Sequence, residues 1–593
     1  MSLLARHLEQ LSGSNETLIA TVTFRQNRPS PDPGATNVLP TGQARASSRM
    51  NGFPYPPFPP PPLTPNGPPR RIVIIGAGLA GLVAAYALEA AGHDVVVLEA
   101  TDRPGGRVQT LRTGFSEGLH AEAGAAFVPG AHSLTVGYAL QFGLGLVLRG
   151  KQGRSTNFLR GWRVDDQLRS KWPVDLKPDE RATGPAEWVT RYIQPALNLV
   201  LSESPREAGW PPPSLQHLDA QSFAQFLASA GASPGAISVL RRGFFDLWGD
   251  GVDACSALLI LRDLASGVVP PARNTPPMSA PVHPATHQFR AQAPTMAAAA
   301  AAPPSTTSSS ATTARATPPF VRAVPPAAIT NPASVDPHGV YHIDGGNDAL
   351  PFAFASALTG KIRLNSQVTR IEQDATGVRV FCAGTSTPVA GDYVISAIPL
   401  STLRLVDVVP AFTAEKARVI REIPYTSVTR IFLQFDQRFW LDEGLEGLSS
   451  TDLPGSDNAP IPGFWIEEAT AVQPGTAGIL DCYITGQHAR ELAAMTDEAR
   501  IASTLDQVER VFPGAKSNFS DRSMTKIWDS DPWARGGYGW FRPGQMTQLS
   551  PDLTTPQGRI HFAGEITSAL PAWMQGALES GLRAATEVND ATA

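Results

Sequence analysis

Apolar positions along the chain fall into two arrangements. Short unbroken runs of Ile, Val and Leu closed by glycine mark strands buried on both faces. Apolar residues spaced three and four apart mark helices with one buried side. The first run is Ile72-Val73-Ile74-Ile75; a small-residue helical pattern, LVAAYALEAAG, follows it, and a second run from Val95 to Leu98 closes the unit. A matching piece lies near the carboxyl end, where Ile560-His561-Phe562-Ala563 runs into Gly564-Glu565 and a helical pattern from Gln575.

Between these ends the pattern changes several times. Amphipathic stretches such as EWVTRYIQPALNLVL and DAQSFAQFLASAG, punctuated by Pro211-Pro212-Pro213 and the turn Ser233-Pro234-Gly235, predict a helical lobe. After IDGGN and a helix from Leu350 to Leu358, strands at KIRLNS, VTRIEQD, VRVFCAG and YVISAIP predict a meander returning to the first sheet. SVTRIFLQF, GFWIEE and GILDCYI predict further strands, and RIASTLDQVERVF a helix. Two stretches carry no such pattern. Pro29 to Pro69, with PYPPFPPPPLTP, predicts a polyproline-like tether. Val269 to Asp336, with MAAAAAAPPSTTSSSATTARATPP, predicts a disordered insertion, because it cannot offset its ordering entropy by burial. The first 24 residues predict one helical turn and a strand.

Composition narrows the class. A net charge of −5 with no long Lys/Arg run argues against nucleic acid and anionic membrane as partners. No apolar run reaches membrane-spanning length, and the amino end lacks a basic segment followed by a sustained apolar one, so a soluble, cytoplasmic protein is expected. Cys255, Cys382 and Cys482 are too far apart for a disulfide framework or a metal cluster. Neither HExxH nor GxSxG occurs, which leaves metal and hydrolase readings without support.

The chemistry begins in the first turn. Gly76, Gly78 and Gly81 follow the strand at GxGxxG spacing. Gly76 permits the tight turn, Gly78 lets backbone approach a pyrophosphate at a helix N-terminus, and Gly81 lets the helix press on the strand. Glu99, at the end of the second strand, suits a ribose 2′-hydroxyl, and the Arg103 to Arg107 segment adds a guanidinium fork for pyrophosphate. These features leave NAD and FAD both open. Further on, Gly124, Ala125 and Ala126 are small enough for backbone to approach a flat ring, and the helix after Gly564-Glu565 can aim N–H groups at a second negative edge.

The two terminal blocks, with IDGGNDALP and YTSVTRIFLQFDQRFW between them, resemble the flavin amine oxidases, which include monoamine, polyamine and L-amino acid oxidases. The resemblance runs from about residue 71 to 590 with the insertion outside it, and is nearest to the L-amino acid oxidases across GGYGWFRPGQ and GRIHFAGE. It implies an α/β fold: a doubly wound, Rossmann-like FAD domain discontinuous in sequence, a mixed-sheet substrate domain and a helical lobe. The expected boundaries are 1–69 for the extension and Pro-rich linker, 70–150, 339–410 and 536–593 for the FAD domain, 151–268 for the helical lobe, 269–338 for the insertion and 411–535 for the substrate domain.

Carried over position by position, the resemblance implies noncovalent FAD, since the cysteine that tethers flavin in monoamine oxidases is absent from GGYGW. Gly76, Gly78, Gly81, Glu99 and Arg107 match contacts to ADP and pyrophosphate, Val368 the backbone contact to adenine, and Gly564, Glu565 and Met574 contacts nearer the flavin. Tyr483 matches a tyrosine on the substrate carboxylate, and Tyr538 and Trp573 the walls around the substrate. Two positions depart. Arg430 stands where the family has a lysine linked through water to flavin N5, and Phe127 where the amino acid oxidases have a carboxylate-binding arginine. The expected function is oxidation of a primary amine or L-amino acid, with oxygen as partner, through an imine to a carbonyl product, ammonia and hydrogen peroxide. The alternatives are an amino acid 2-monooxygenase and a flavin-binding interaction protein whose catalysis has lapsed at Arg430. A homodimer is left open.

Overall fold

The computed structural model describes residues 56–116, 118–149, 154–159, 162–164, 172–203, 210–241, 247–266, 334–441, 445–451, 464–468 and 476–591. The first apolar run forms β1 (Arg71–Ile75), followed by α1 (Leu79–Ala90) and β2 (Asp94–Leu98). Then come α2 (Ser133–Gln141), α3 (Ala257–Ser266), β3 (Ile362–Arg363), β4 (Tyr393–Ser396), β5 (Val428–Phe435), β6 (Gly478–Thr485), β7 (Phe519–Ile527), β8 (Ile560–Phe562) and α4 (Met574–Asp590).

Three segments remote in sequence build one parallel sheet in the order β3-β2-β1-β4-β8, with Val73 paired to Val96 on one side and Val394 on the other. This is the doubly wound, discontinuous architecture expected. Residues 72–75 of β1 are buried, as a central parallel strand requires. Helices α1 and α4 press together where a Cβ on Gly581 would stand 2.2 Å from the Ala80 carbonyl oxygen.

A second, seven-stranded sheet has β7, β5, β6, then 464–468, 445–451, 154–159 and 162–164 as neighbours. Its last two strands come from the stretch expected to be helical, because 154–159 pairs in parallel with 445–451. Such long-range pairing leaves no mark in the local pattern. Likewise VTRIEQD and VRVFCAG do not join the first sheet. They form a separate four-stranded sheet with 389–391 and 407–409, and only residues 362–363 and 393–396 reach the nucleotide sheet.

The rest of the helical lobe behaves as its capping signals dictate. Ser222 accepts from Gln225 N and Ser233 from Ala236 N, so the predicted turn at Ser233-Pro234-Gly235 is the start of a helix. The elements expected before residue 25 lie outside the described residues, as does the insertion up to 333. Part of the Pro-rich stretch is described and lies on the body: Phe58 meets Tyr138 edge-on at 5.1 Å, since an aromatic side chain gains by leaving water even from an irregular strand of chain.

Candidate active site

One cleft opens at the carboxyl ends of β1, β2, β4 and β8. It is lined by Gly76, Gly78, Glu99, Arg107, Gly124, Ala125, Val368, Gly564, Glu565 and Met574, and also by Phe127, Arg430, Tyr483, Tyr538 and Trp573. Of the residues singled out from sequence, only Gly81 is absent from its wall. Gly81 works from behind: a Cβ there would stand 2.0 Å from the Gly76 carbonyl oxygen, so its lack of a side chain lets α1 pack on the turn.

Gly78 is the N-cap of α1, with an ordinary extended backbone and no side-chain cap on the helix end. A Cβ on Gly78 or on Gly564 would meet no protein atom within 4 Å. The wall is therefore hollowed at both glycines, and a helix N-terminus with its partial positive charge faces the hollow. Glu99 holds the floor of this end, accepting from Ala77 N at 2.8 Å, Thr101 N at 2.9 Å and Thr101 Oγ1 at 2.8 Å. The cradle fits a dinucleotide.

Gly124 lines the cleft and is also held small by the protein itself: a Cβ there would stand 1.9 Å from the Arg107 carbonyl oxygen. Arg107 is also more engaged than a bare pyrophosphate fork. Its Nη1 donates to Glu565 at 2.7 Å and to the Gly537 carbonyl at 2.9 Å. Burial works against its charge, but Glu565 outweighs burial and raises its pKa. Glu565 further accepts from Gly539 N and Ala572 N, tying four segments together at one carboxylate.

At the aromatic end, strand register does the positioning. Arg430 lies opposite Tyr483 on β6 and Lys526 on β7, so all three share one face of the sheet; Asp481, two residues before Tyr483, shares it too. The Arg430 guanidinium binds Asp481 through Nη2 and through Nε, the latter at 3.1 Å, while Nη1 donates to the Gly124 carbonyl at 2.6 Å. Burial opposes the Arg430 charge, and Asp481 more than offsets it, so the guanidinium pKa is raised. The same cation lies 5.0 Å from the Tyr483 ring centre. Tyr538 donates its hydroxyl to the Leu247 carbonyl, and burial raises the pKa of both Tyr483 and Tyr538. Trp248 meets Tyr538 edge-on at 5.6 Å. Phe127 sits under the Arg149 guanidinium, 5.2 Å from its centre. Among the described residues, the cations lining the cleft are Arg103, Arg107 and Arg430. Lys526 does not line it; it is paired to Asp531 at 2.7 Å and lies over Trp528.

The model of the family described as flavin containing amine oxidoreductase matches residues 79–276 and 278–589. The chain belongs to that family. YobN of Bacillus subtilis (strain 168), named as a candidate L-amino-acid oxidase, is 29% identical over 534 residues, covering 88% of this chain and 95% of its own. The L-amino-acid oxidase of Demansia vestigiata is 27% identical, covering 88% and 87%. In fold, the chain is similar to cyclohexylamine oxidase from Brevibacterium oxydans IH-35A, with a TM-score of 0.65 at 21% identity over 88% of this chain and 99% of that one. A flavin cofactor and oxidoreductase chemistry follow from the family, and the doubly wound fold agrees with the solved relatives.

In this flavoprotein the wall from Ala123 to Ala125 is fixed by Arg430 together with two residues that reading the sequence missed. Trp528 Nε1 donates to the Ala123 carbonyl at 2.8 Å, Arg430 to that of Gly124, and Asn347 Nδ2 to that of Ala125 at 2.9 Å. Behind it, Glu122 is buried and accepts from Thr110 Oγ1 and Asn347 N; burial pushes its carboxyl up to about 8. Asp481 carried a signal in its alternation with Tyr483. Trp248, Trp528 and Asn347 carried none, since their roles depend on contacts between distant segments. Among the described residues, no helix is long and apolar enough to cross a membrane and no cluster could hold a metal.

Proposed function

We propose that the protein is an FAD-dependent oxidase of apolar or aromatic primary amines, converting RR′CH-NH2 (R′ being hydrogen or carbon), water and oxygen to an aldehyde or ketone, ammonia and hydrogen peroxide. The observation that carries this reading is the Arg430–Asp481 pair. Among the described residues, the cation that lines the aromatic end of the cleft, Arg430, is neutralised by a buried carboxylate and spends a further donor on the Gly124 carbonyl. A substrate carboxylate placed there would meet a neutral pair and apolar walls, and its desolvation would go uncompensated. Phe127, at the position where the resemblance to the amino acid oxidases calls for an arginine, presents a ring to the cleft, with the Arg149 guanidinium stacked on it.

When bound, the flavin supplies a two-electron acceptor that oxygen regenerates. Gly78, the α1 N-terminus, Glu99 and Gly564 would hold the dinucleotide. Tyr483, Tyr538, Trp248 and Trp573 would hold the amine, shed water and turn the C–H of the carbon bearing nitrogen toward the acceptor. The resulting imine is hydrolysed by water. Noncovalent attachment is supported by the absence of cysteine and histidine from the cleft lining among the described residues. A second reading, oxidation of an L-amino acid to a 2-oxo acid, is favoured by the relatives' names and by Tyr483.

A peroxide-coupled screen of the purified flavoprotein against benzylamine, cyclohexylamine, phenylalanine and leucine separates the two. The expected result is a kcat/KM at least ten-fold higher for the amines. Preference for the amino acids would replace the first reading by the second, and no turnover of any of them with flavin bound would remove both.

A further inference from the structure

Trp573 is held by three devices that come from three different segments. The residue before it, Ala572, is kept at φ +68°, a conformation that costs a non-glycine residue energy, by donating its N–H to Glu565 at 3.0 Å. The indole N–H of Trp573 donates to Asp263 Oδ1 at 2.7 Å. Its ring meets His132 edge-on at 5.0 Å and 86°. His132 is in turn fixed at the start of α2, whose Leu134 and Thr135 N–H groups both donate to the buried Gln575, two residues beyond Trp573.

Asp263 is the unexpected member. It sits in the last turn of α3, a helix buried throughout, beside Arg262, whose guanidinium lies 4.8 Å from the Trp210 ring centre. Burial pushes the Asp263 carboxyl up to about 7. A carboxyl so placed costs stability that an apolar side chain of the same volume would not. What it returns is a strong acceptor at a single point in front of the indole.

We propose that Asp263 is a positioning residue: by accepting the Trp573 indole N–H, it fixes the plane of the wall against which the substrate's apolar group lies. The inference rests on the amine-oxidase reading of the cleft. Without the acceptor, the indole is held by Ala572 and His132 alone, its plane can rotate about the bonds to its backbone, and the apolar group loses a fixed surface.

The test uses the flavin-loaded full chain and aniline, a ring amine with no hydrogen on the carbon bearing nitrogen, so that it binds without turnover. Binding is followed by the perturbation of the flavin visible spectrum, with benzylamine oxidation measured alongside. D263L is expected to weaken aniline binding at least ten-fold and to raise the KM for benzylamine more than it lowers kcat, with flavin content unchanged. D263N keeps an acceptor oxygen and is expected to stay within about three-fold of wild type, since a neutral acceptor keeps roughly half the strength of a charged one. In a W573F background the indole N–H is gone, so D263L is expected to add less than two-fold. An equal loss from D263L in the Trp and Phe backgrounds, or no loss in either, overturns the proposal while leaving the amine reading standing. A wild-type protein that neither responds to aniline nor oxidises any ring amine overturns the amine reading and this inference with it.

Discussion

The two glycines at either end of the first helical turn do different work, and a single methyl group separates their roles. In G81A the new Cβ would stand 2.0 Å from the Gly76 carbonyl oxygen and 3.2 Å from Ile74 Cγ2. The first contact is more than an ångström inside a normal carbon–oxygen separation and involves backbone, so the turn and α1 must part. Overpacking costs about 1–3 kcal/mol and more where backbone has to move, whereas alanine recovers only about 1 kcal/mol of helix propensity. The apoprotein is therefore expected to lose about 2 kcal/mol or more. In G78A the new Cβ meets nothing within 4 Å, and the backbone there is at φ −74°, which alanine adopts freely. The loss of glycine at an N-cap costs no more than about 1 kcal/mol. The methyl fills the hollow that the pyrophosphate needs, so FAD affinity is expected to fall at least about 100-fold, equivalent to about 2.7 kcal/mol. Urea melts of the apoproteins and titration of each with FAD, read by quenching of flavin fluorescence, give both numbers for both variants. Wild-type FAD affinity in G78A with an unchanged melt would refute the assignment of the hollow. An unchanged melt in G81A would refute the packing argument.

Other outcomes follow from the neighbouring geometry. R430M leaves Asp481 buried without its cation and is expected to cost about 3–5 kcal/mol in a urea melt, most of which returns in R430M/D481L, where nothing charged is stranded. R430K cannot reach Asp481 and the Gly124 carbonyl with one nitrogen, so a loss of about 1.5–3 kcal/mol is expected with flavin content retained; unchanged stability would show that the two contacts are not made together. Glu122 holds its proton in the folded protein up to about 8, against 4.5 for the free group, so its contribution is full below pH 4.5 and is lost as pH rises toward 8. E122Q should therefore gain on the wild type across that window, with a ceiling of about 5 kcal/mol at 1.36 kcal/mol per pKa unit, and parallel pH–stability curves for the two proteins would refute it.

What the sequence carries and what it omits divide by range. The turn at Gly76, the helix end at Gly78 and the strand end at Glu99 were legible because each is local and has a local reason. Gly81 was legible for the same reason, down to the contact it permits. Gly124 has a second reason that no local pattern shows: a side chain there would meet the Arg107 carbonyl, which only the folded chain brings within reach. Asp481 sat in plain view at the period-two position before Tyr483, but nothing local says that Arg430 faces the same way from another strand. Asp263 and Trp573 are 310 residues apart, and no periodicity links them. The same limit hid the strand at 154–159, whose partner at 445–451 lies beyond the insertion.

The charges around the Ala123–Ala125 wall also bear on substrate. Arg430 and Asp481 cancel, and Glu122 keeps its proton through neutral pH, so the groups that grip the wall sum to no net charge. A lysine at position 430 would bring a compact cation that water can reach; the guanidinium is instead consumed by a carboxylate on one edge and a carbonyl on the other. A neutral wall stabilises neither an ammonium nor a carboxylate over its uncharged form. Burial beside it favours the amine that has lost its proton, the form from which a hydride leaves the neighbouring carbon most readily because nitrogen can share its lone pair with the developing cation. On the proposed amine reading the cost would fall on zwitterions, which would shed water from two charges and recover neither at this wall. On that reading, arginine in place of the lysine that the resemblance calls for would bear on which substrates the cleft accepts.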